Sequence, residues 1–141
     1  MKRYARGFTL IEILVTMAIV GILTAVAVPA YTSYIIRARV NEAFTTLSAF
    51  APSAEQFWAN NRTFDKVLTP DSTANFSYAT SGLSTSAWTL TATGINKMTG
   101  VSYTINQSGN KTSTVSGIGV FAGWSSSTTC WVDRKGGLCT Q

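Results

Sequence analysis

The stretch GFTLIEILVTMAIVGILTAVAV, residues 7–28, decides how the rest of this 141-residue chain is read. From Phe8 to Val28 it runs for twenty-one residues with a single charge, Glu12, near its start. At ~1.5 Å per residue a helix of that length spans about 30 Å, the hydrocarbon thickness of a bilayer. A carboxylate near the centre of such a span costs about 2.5–3.5 kcal/mol on insertion scales, so Glu12 needs a physical reason to be there. Ahead of the run, Lys2, Arg3 and Arg6 form the cationic flank that keeps the near end of a membrane segment in the cytoplasm.

Two ordinary readings compete for this segment. A cleaved secretory signal has a shorter apolar stretch followed by a small-residue site. Ala25 to Ala30 (AVAVPA) is the nearest match, and cutting there would discard Glu12 with no use for it. A plain signal anchor fits the length better. Both put the C-terminal region outside the cytoplasm.

The formal charge of +5 suggests an anionic partner, but without Lys2, Arg3 and Arg6 it falls to +2. Beyond residue 60 the cations Arg62, Lys66, Lys97, Lys111, Arg134 and Lys135 face Asp65, Asp71 and Asp133. A thin excess of this kind serves an ordinary solvated surface as well as a nucleic-acid contact. Cys130 and Cys139 sit close together behind a membrane-directing segment, which implies an oxidising compartment and one disulfide. With no histidine and no second cysteine pair, a four-ligand zinc site would lack ligands. The sequence implies no metal and no cofactor.

The helical pattern continues past Val28. Val40, Ala43, Phe44, Leu47, Phe50, Ala51, Ala54, Phe57 and Trp58 recur at spacings of three and four, one apolar stripe on an otherwise polar helix. One helix over about Phe8 to Ala59 is expected, roughly 75–80 Å long at ~1.5 Å per residue. Pro29 removes a hydrogen bond and crowds the preceding turn, so a kink is expected there, with Gly21 adding looseness two turns earlier. Pro52 is expected to bend or split the helix, and Asn60-Asn61 to stop it.

From Thr63 onward the composition shifts to Ser, Thr, Gly and Asn. Trp88, Leu90 and Ala92 alternate with Thr89, Thr91 and Thr93, and Val101, Tyr103 and Ile105 with Ser102, Thr104 and Asn106. Period two with one apolar face predicts antiparallel strands. Ser108-Gly109-Asn110 marks a turn, Lys111 to Val115 a returning strand, and Phe76 to Ala79 a short fourth. The stripe on the helix supplies the cover this sheet needs, which makes the fold class α+β. Gly117-Ile118-Gly119 has no strand-turn-helix context and reads as loop, not as a nucleotide site. Trp124 and Trp131 read as packing residues. Four Asn-x-Ser/Thr sequences, at Asn61, Asn75, Asn106 and Asn110, are what chance supplies in a chain this rich in Ser and Thr.

An enzyme is not expected. The six acids include Glu12, Glu42 and Glu55 on the long helix, and no serine has a visible base partner.

Gly7-Phe8-Thr9-Leu10-Ile11-Glu12 strongly resembles the processing site of type IV prepilins, and the apolar helix with Pro29 follows at the family's usual distance. The resemblance continues through Tyr31 to Arg39 and into the Cys130–Cys139 loop; the middle of the chain, about residues 62–129, matches only in style. It implies a pilin fold, with a leader over residues 1–7, a membrane and filament-core half-helix over 8–35, and a head over 36–141. It further implies cleavage between Gly7 and Phe8 by a prepilin peptidase, N-methylation of Phe8, and recruitment of a neighbouring subunit's ammonium group by Glu12. In pilins the region around Gly21 and Pro29 can lose helical order in the fibre.

The function implied is that of a filament subunit serving adhesion, twitching motility or DNA uptake. Such a subunit is stored in the inner membrane, polymerises with other pilins through the assembly machinery, and meets DNA or host and abiotic surfaces. Two alternatives share the architecture. One is a type II secretion pseudopilin, although Asp133 is the only acid after Asp71, too few for the calcium-binding kind. The other is a minor competence pilin that captures DNA through Lys97, Lys111, Arg134 and Lys135.

Overall fold

The computed structural model describes residues 7–139, so the leader cations Lys2, Arg3 and Arg6 lie outside the described residues. The first element, α1, is a 52-residue helix over Leu10–Asn61. It begins two residues after Phe8 because Thr9 stands in the capping position, and it ends at the expected Asn60-Asn61 stop. Helical structure continues through Gly21, Pro29 and Pro52, so Pro52 does not divide it. Proline forfeits one hydrogen bond and crowds one carbonyl, at about 3 kcal/mol. Pro52 is exposed while Phe50 and Ala54 beside it are buried, and this anchoring on both sides holds the turn in place.

By packing, the chain divides into two compact units, one ending at Ile35 and the other starting at Ile36. In the first, every residue from Gly7 to Tyr34 is exposed. Its helix contains an 18-residue window of mean hydropathy 2.5, long and apolar enough to cross a membrane. The serine and threonine hydroxyls of this half find partners within it. Thr16, Thr24, Thr32 and Ser33 donate their hydroxyls to the carbonyls of Ile13, Val20, Val28 and Pro29 at 2.7–3.0 Å. In hydrocarbon an unpaired hydroxyl would cost several kcal/mol, about as much as an unpaired backbone group.

In the second unit four strands form an antiparallel meander: β1 (Phe76–Ser81), β2 (Thr89–Gly94), β3 (Val101–Asn106) and β4 (Lys111–Val115). Registers such as Tyr78↔Ala92, Ala92↔Tyr103 and Tyr103↔Ser113 set one apolar row across the sheet. The stripe on the helix covers it, with Ile36, Val40, Ala43, Phe44, Leu47, Phe50 and Ala54 buried. Ala51, Phe57 and Trp58 are partly buried against the same core. The Phe44 ring lies edge-on to Tyr103 at 4.9 Å and stacks on Trp131 at 5.2 Å, while Phe50 meets Trp88 at 4.9 Å. Trp131 is buried and Trp124 nearly so, as expected of packing residues.

The opposite face of the sheet carries Ser77, Thr91, Thr93, Ser102, Thr104, Thr112 and Thr114, none of them charged. After β4 the chain folds back along that strand. Ser113 and Ser127 exchange backbone hydrogen bonds at 2.7 and 3.0 Å, and the Val115 N–H donates to Ser126 Oγ at 2.9 Å. On the other edge, Thr69 and Thr80 share a hydroxyl contact of 2.7 Å beside β1.

Between β2 and β3 the backbone turns so tightly that a Cβ at Gly94 would overlap the Met98 carbonyl. Gly94→Ala is therefore expected to cost about 1–3 kcal/mol, read as a lower midpoint in chemical denaturation. Tyr103 is fully buried and donates its hydroxyl to the Val132 carbonyl at 2.9 Å. Burial first, and then the charge of Asp133, push its phenol well above the ordinary range. A group whose folded-state pKa is raised contributes stability that is complete below the unfolded value, ~10 for tyrosine, and is lost as the pH climbs beyond it. The melting temperature should accordingly fall above about pH 10, and Tyr103→Phe should make that fall shallower while costing about 1 kcal/mol at neutral pH.

Candidate functional site

Two regions hold the residues singled out above. At the start of α1, Thr9 and Glu12 form a reciprocal cap. The Thr9 N–H and hydroxyl both donate to Glu12 Oε2 at 2.8 Å, and the Glu12 N–H donates to Thr9 Oγ1 at 3.3 Å. This is the capping box, which satisfies donors that a helix start leaves orphaned. The sequence carries its signature, Thr-x-x-Glu ahead of an apolar run. In the single chain Glu12 is thus already engaged. Phe8 is 85 % exposed beside it, and Gly7 is exposed as well. Gly21 and Pro29 are both exposed within α1, and a Cβ at Gly21 would meet nothing within 4 Å.

The second region is the C-terminal segment that Cys130 and Cys139 close by a disulfide. The Ser113 side chain anchors it to β4: Ser113 Oγ donates to the Cys130 carbonyl at 2.7 Å and accepts the Val132 N–H at 2.8 Å. Trp131 Nε1 donates to the Thr104 carbonyl at 2.7 Å. Beyond Trp131 the segment turns toward the loop after β4, where the Gly136 N–H donates to the Gly123 carbonyl at 2.8 Å. That loop begins at Ser116, whose N–H donates to the Gly100 carbonyl at 2.8 Å, beside the β2–β3 connection.

These contacts fix where the four cations lie. Lys111 opens β4 at one end of the sheet, its Nζ 4.4 Å from the centre of the Trp131 ring. Lys97 is exposed in the β2–β3 connection at the other end, held by the buried Met98 next to it. Four strand steps, Lys111 to Val115, separate the two ends, roughly 14 Å at ~3.4 Å per residue. Arg134 and Lys135 are carried toward the Lys97 end. Arg134 Nε meets Asp133 Oδ1 at 3.1 Å, and Lys135 rests its stem against Gly123, where a Cβ would lie 3.5 Å from Lys135 Cδ. Lys135 keeps its ammonium in solvent. The buried Asp133 and its ion pair with Arg134 were not foreseen, because adjacent Asp-Arg reads as ordinary surface in a sequence. Among the described residues no group of three or more His, Cys, Asp and Glu could hold a metal ion.

Such an arrangement offers two exposed cations, Lys97 and Lys135, and a third, Lys111, whose ammonium lies over an aromatic ring. Cations at the two ends of an edge of about 14 Å match a polyanion repeating every ~3.4 Å per strand better than they match a single anionic group.

Two family models together match residues 2–113, ending before the segment that Cys130 and Cys139 close. The prokaryotic N-terminal methylation motif matches residues 2–28, and the family described as type IV minor pilin ComP, DNA uptake sequence receptor, matches residues 29–113. The chain is similar to a fimbrial protein of Moraxella nonliquefaciens, 49 % identical over 59 residues that cover 42 % of this chain and 38 % of that protein. It is also similar to the type IV major pilin protein PilE1 of Neisseria gonorrhoeae, 35 % identical over 108 residues, 69 % of this chain and 59 % of the relative. The chain therefore spans less than two-thirds of the length of these relatives. In fold it resembles the crystal structure of the Neisseria meningitidis non-core minor pilin PilV, with a TM-score of 0.55 at 22 % identity over 64 % of this chain and 97 % of that one. With one family model matched over more than half of its length, the chain belongs to the type IV minor pilin ComP, DNA uptake sequence receptor, family and is a type IV pilin.

Proposed function

We propose that the chain is a type IV pilus subunit whose C-terminal unit binds duplex DNA. The observation that carries the DNA reading is a charge imbalance with a defined place in the fold. After Asp71 the chain has four cations, Lys97, Lys111, Arg134 and Lys135, and one carboxylate, Asp133, which is buried against Arg134. The disulfide and the Ser113 anchor hold two of these cations against the β4 side of the sheet, so little ordering entropy is lost when a phosphate backbone docks.

Assembly rests on the other region. Prepilin peptidase cuts between Gly7 and Phe8, Phe8 is N-methylated, and the new ammonium group becomes the cation that Glu12 meets in a neighbouring subunit. In a filament core an isolated carboxylate is costly, whereas one paired with a cation and hydrogen-bonded is tolerated. Thr9 keeps that carboxylate engaged while the subunit waits in the inner membrane. The outward-facing unit then meets DNA at the cell surface, and the fibre's other surfaces are left for adhesion or motility.

Three experiments bear on this. Mass spectrometry of sheared filaments is expected to give a chain that begins at methylated Phe8. Glu12→Ala should leave the protein in the membrane fraction while lowering filament yield at least tenfold, since one member of a buried pair is worth about 3–5 kcal/mol. For DNA, Lys97→Ala and Lys135→Ala should each weaken binding of a mixed-sequence duplex and flatten the dependence of log K on log salt by about one. Unchanged salt slopes in both variants would refute the DNA reading.

A further inference from the structure

The C-terminal unit exposes few large apolar side chains beyond α1: Leu68, Ile118, Val120 and Leu138. Ile118, 73 % exposed, and Val120, 42 % exposed, form the tip of the Gly117–Gly123 loop. That tip is built, not frayed. Gly117, Gly119 and Gly123 hold left-handed φ values of 70°, 60° and 80°, which other residues adopt only under strain. The Phe121 N–H closes the turn on the Ile118 carbonyl at 3.1 Å. Phe121 itself is fully buried, its ring edge-on to Trp124 at 5.3 Å, and it anchors the loop from below. A preformed loop that aims two β-branched side chains at water gives up the burial of each, worth roughly 1.5–3 kcal/mol. Such a loop marks a contact surface.

Its neighbours say what kind. The Gly123 end of the loop carries the Lys135 stem, and Ser116 at its other end bonds to Gly100, three residues from Lys97. The base of the loop is thus flanked by the segments that carry the two exposed cations, and no carboxylate after Asp71 other than the buried Asp133 stands in that half of the chain. An apolar point between cations is complementary to a groove with phosphates on both sides. Proteins that bend DNA insert such side chains between base steps and unstack them. We propose that Ile118, supported by Val120, is an apolar wedge that enters a groove of the bound duplex and opens the base step beneath it. This rests on the DNA reading above and adds to it a preference for easily unstacked pyrimidine–purine steps, TA and CA/TG, over stiff A-tracts.

The test uses the full chain in detergent micelles and duplexes carrying 2-aminopurine at a central TA step. Wild type is expected to raise the 2-aminopurine fluorescence on binding and to prefer this duplex to an A-tract of equal length. The double variant Ile118→Ser/Val120→Ser should lose both the fluorescence rise and the preference and bind about tenfold more weakly, with an unchanged salt slope. Ile118→Leu, which keeps the tip apolar, should restore the signal, and unaltered near-ultraviolet circular dichroism verifies that each variant is folded. Lys97→Ala/Lys135→Ala should show the converse, a salt slope flatter by about two with the fluorescence rise intact at saturation. A serine variant that binds and unstacks like wild type overturns the wedge and leaves the DNA reading standing. The same holds if that variant keeps its DNA behaviour and instead loses filament yield, which would assign the tip to a protein contact. Wild type that binds no duplex overturns both.

Discussion

The contact on which the C-terminal unit depends is the stack of Phe44 on Trp131, two rings 5.2 Å apart and 18° from parallel. Phe44 comes from the middle of the helical stripe and Trp131 from the segment behind Cys130, more than eighty positions later. Tyr103 meets the same Phe44 ring edge-on, so helix, central strand and C-terminal segment converge on one residue. The geometry also explains how Lys111 is carried, since its ammonium sits over the other ring in the stack. A stacked pair adds about 0.5–1.5 kcal/mol beyond the area it buries, and here that gain keeps the C-terminal segment against the sheet. The disulfide closes the segment on itself; the aromatic stack and Ser113 attach it to the fold.

Much of this was legible beforehand because it is periodic. The three-and-four spacing from Val40 to Trp58 named the buried face of the helix, and alternation from Trp88 to Ala92 and Val101 to Ile105 named the core face of the sheet. The apolar run with Glu12 and the flanking Gly7-Phe8 identified the family. What stayed hidden was non-periodic. Pro52 looked like a breaker, yet core residues on both sides keep its turn helical. Nothing in the order Asp133-Arg134 says that the acid is buried, because that depends on where a loop closes. The positions of Lys97, Lys111, Arg134 and Lys135 along one side of the sheet follow from the registers of β3 and β4, and from hydrogen bonds between segments distant in sequence. The capping box at Thr9 is legible as Thr-x-x-Glu, but the same carboxylate also fits the cation pairing that the family resemblance implies.

The two units meet opposite demands with one device, the local satisfaction of polar groups. In the apolar half-helix, Thr16, Thr24, Thr32 and Ser33 turn their hydroxyls back onto carbonyls one turn earlier, so these donors are satisfied where hydrocarbon would offer no partner. In the head, serine and threonine side chains do the same work at exposed edges: Ser113 and Ser126 serve the backbone, and Thr104 and Thr112 serve each other. The economy in charged residues follows from this.

The pairing along β4 has one more consequence. The main-chain donors of Ser113 and Val115 are both taken by residues of the chain's own return segment, one by the Ser127 carbonyl and one by Ser126 Oγ. An open margin of a sheet is a template on which a foreign strand can add, the route by which many β-rich proteins coagulate into amyloid-type deposits. Here that template is blanked off along the strand that borders the cationic loop. A molecule held at high local density beside sister molecules therefore keeps its β-structure closed to runaway growth, and strand-by-strand recruitment at β4 is shut off.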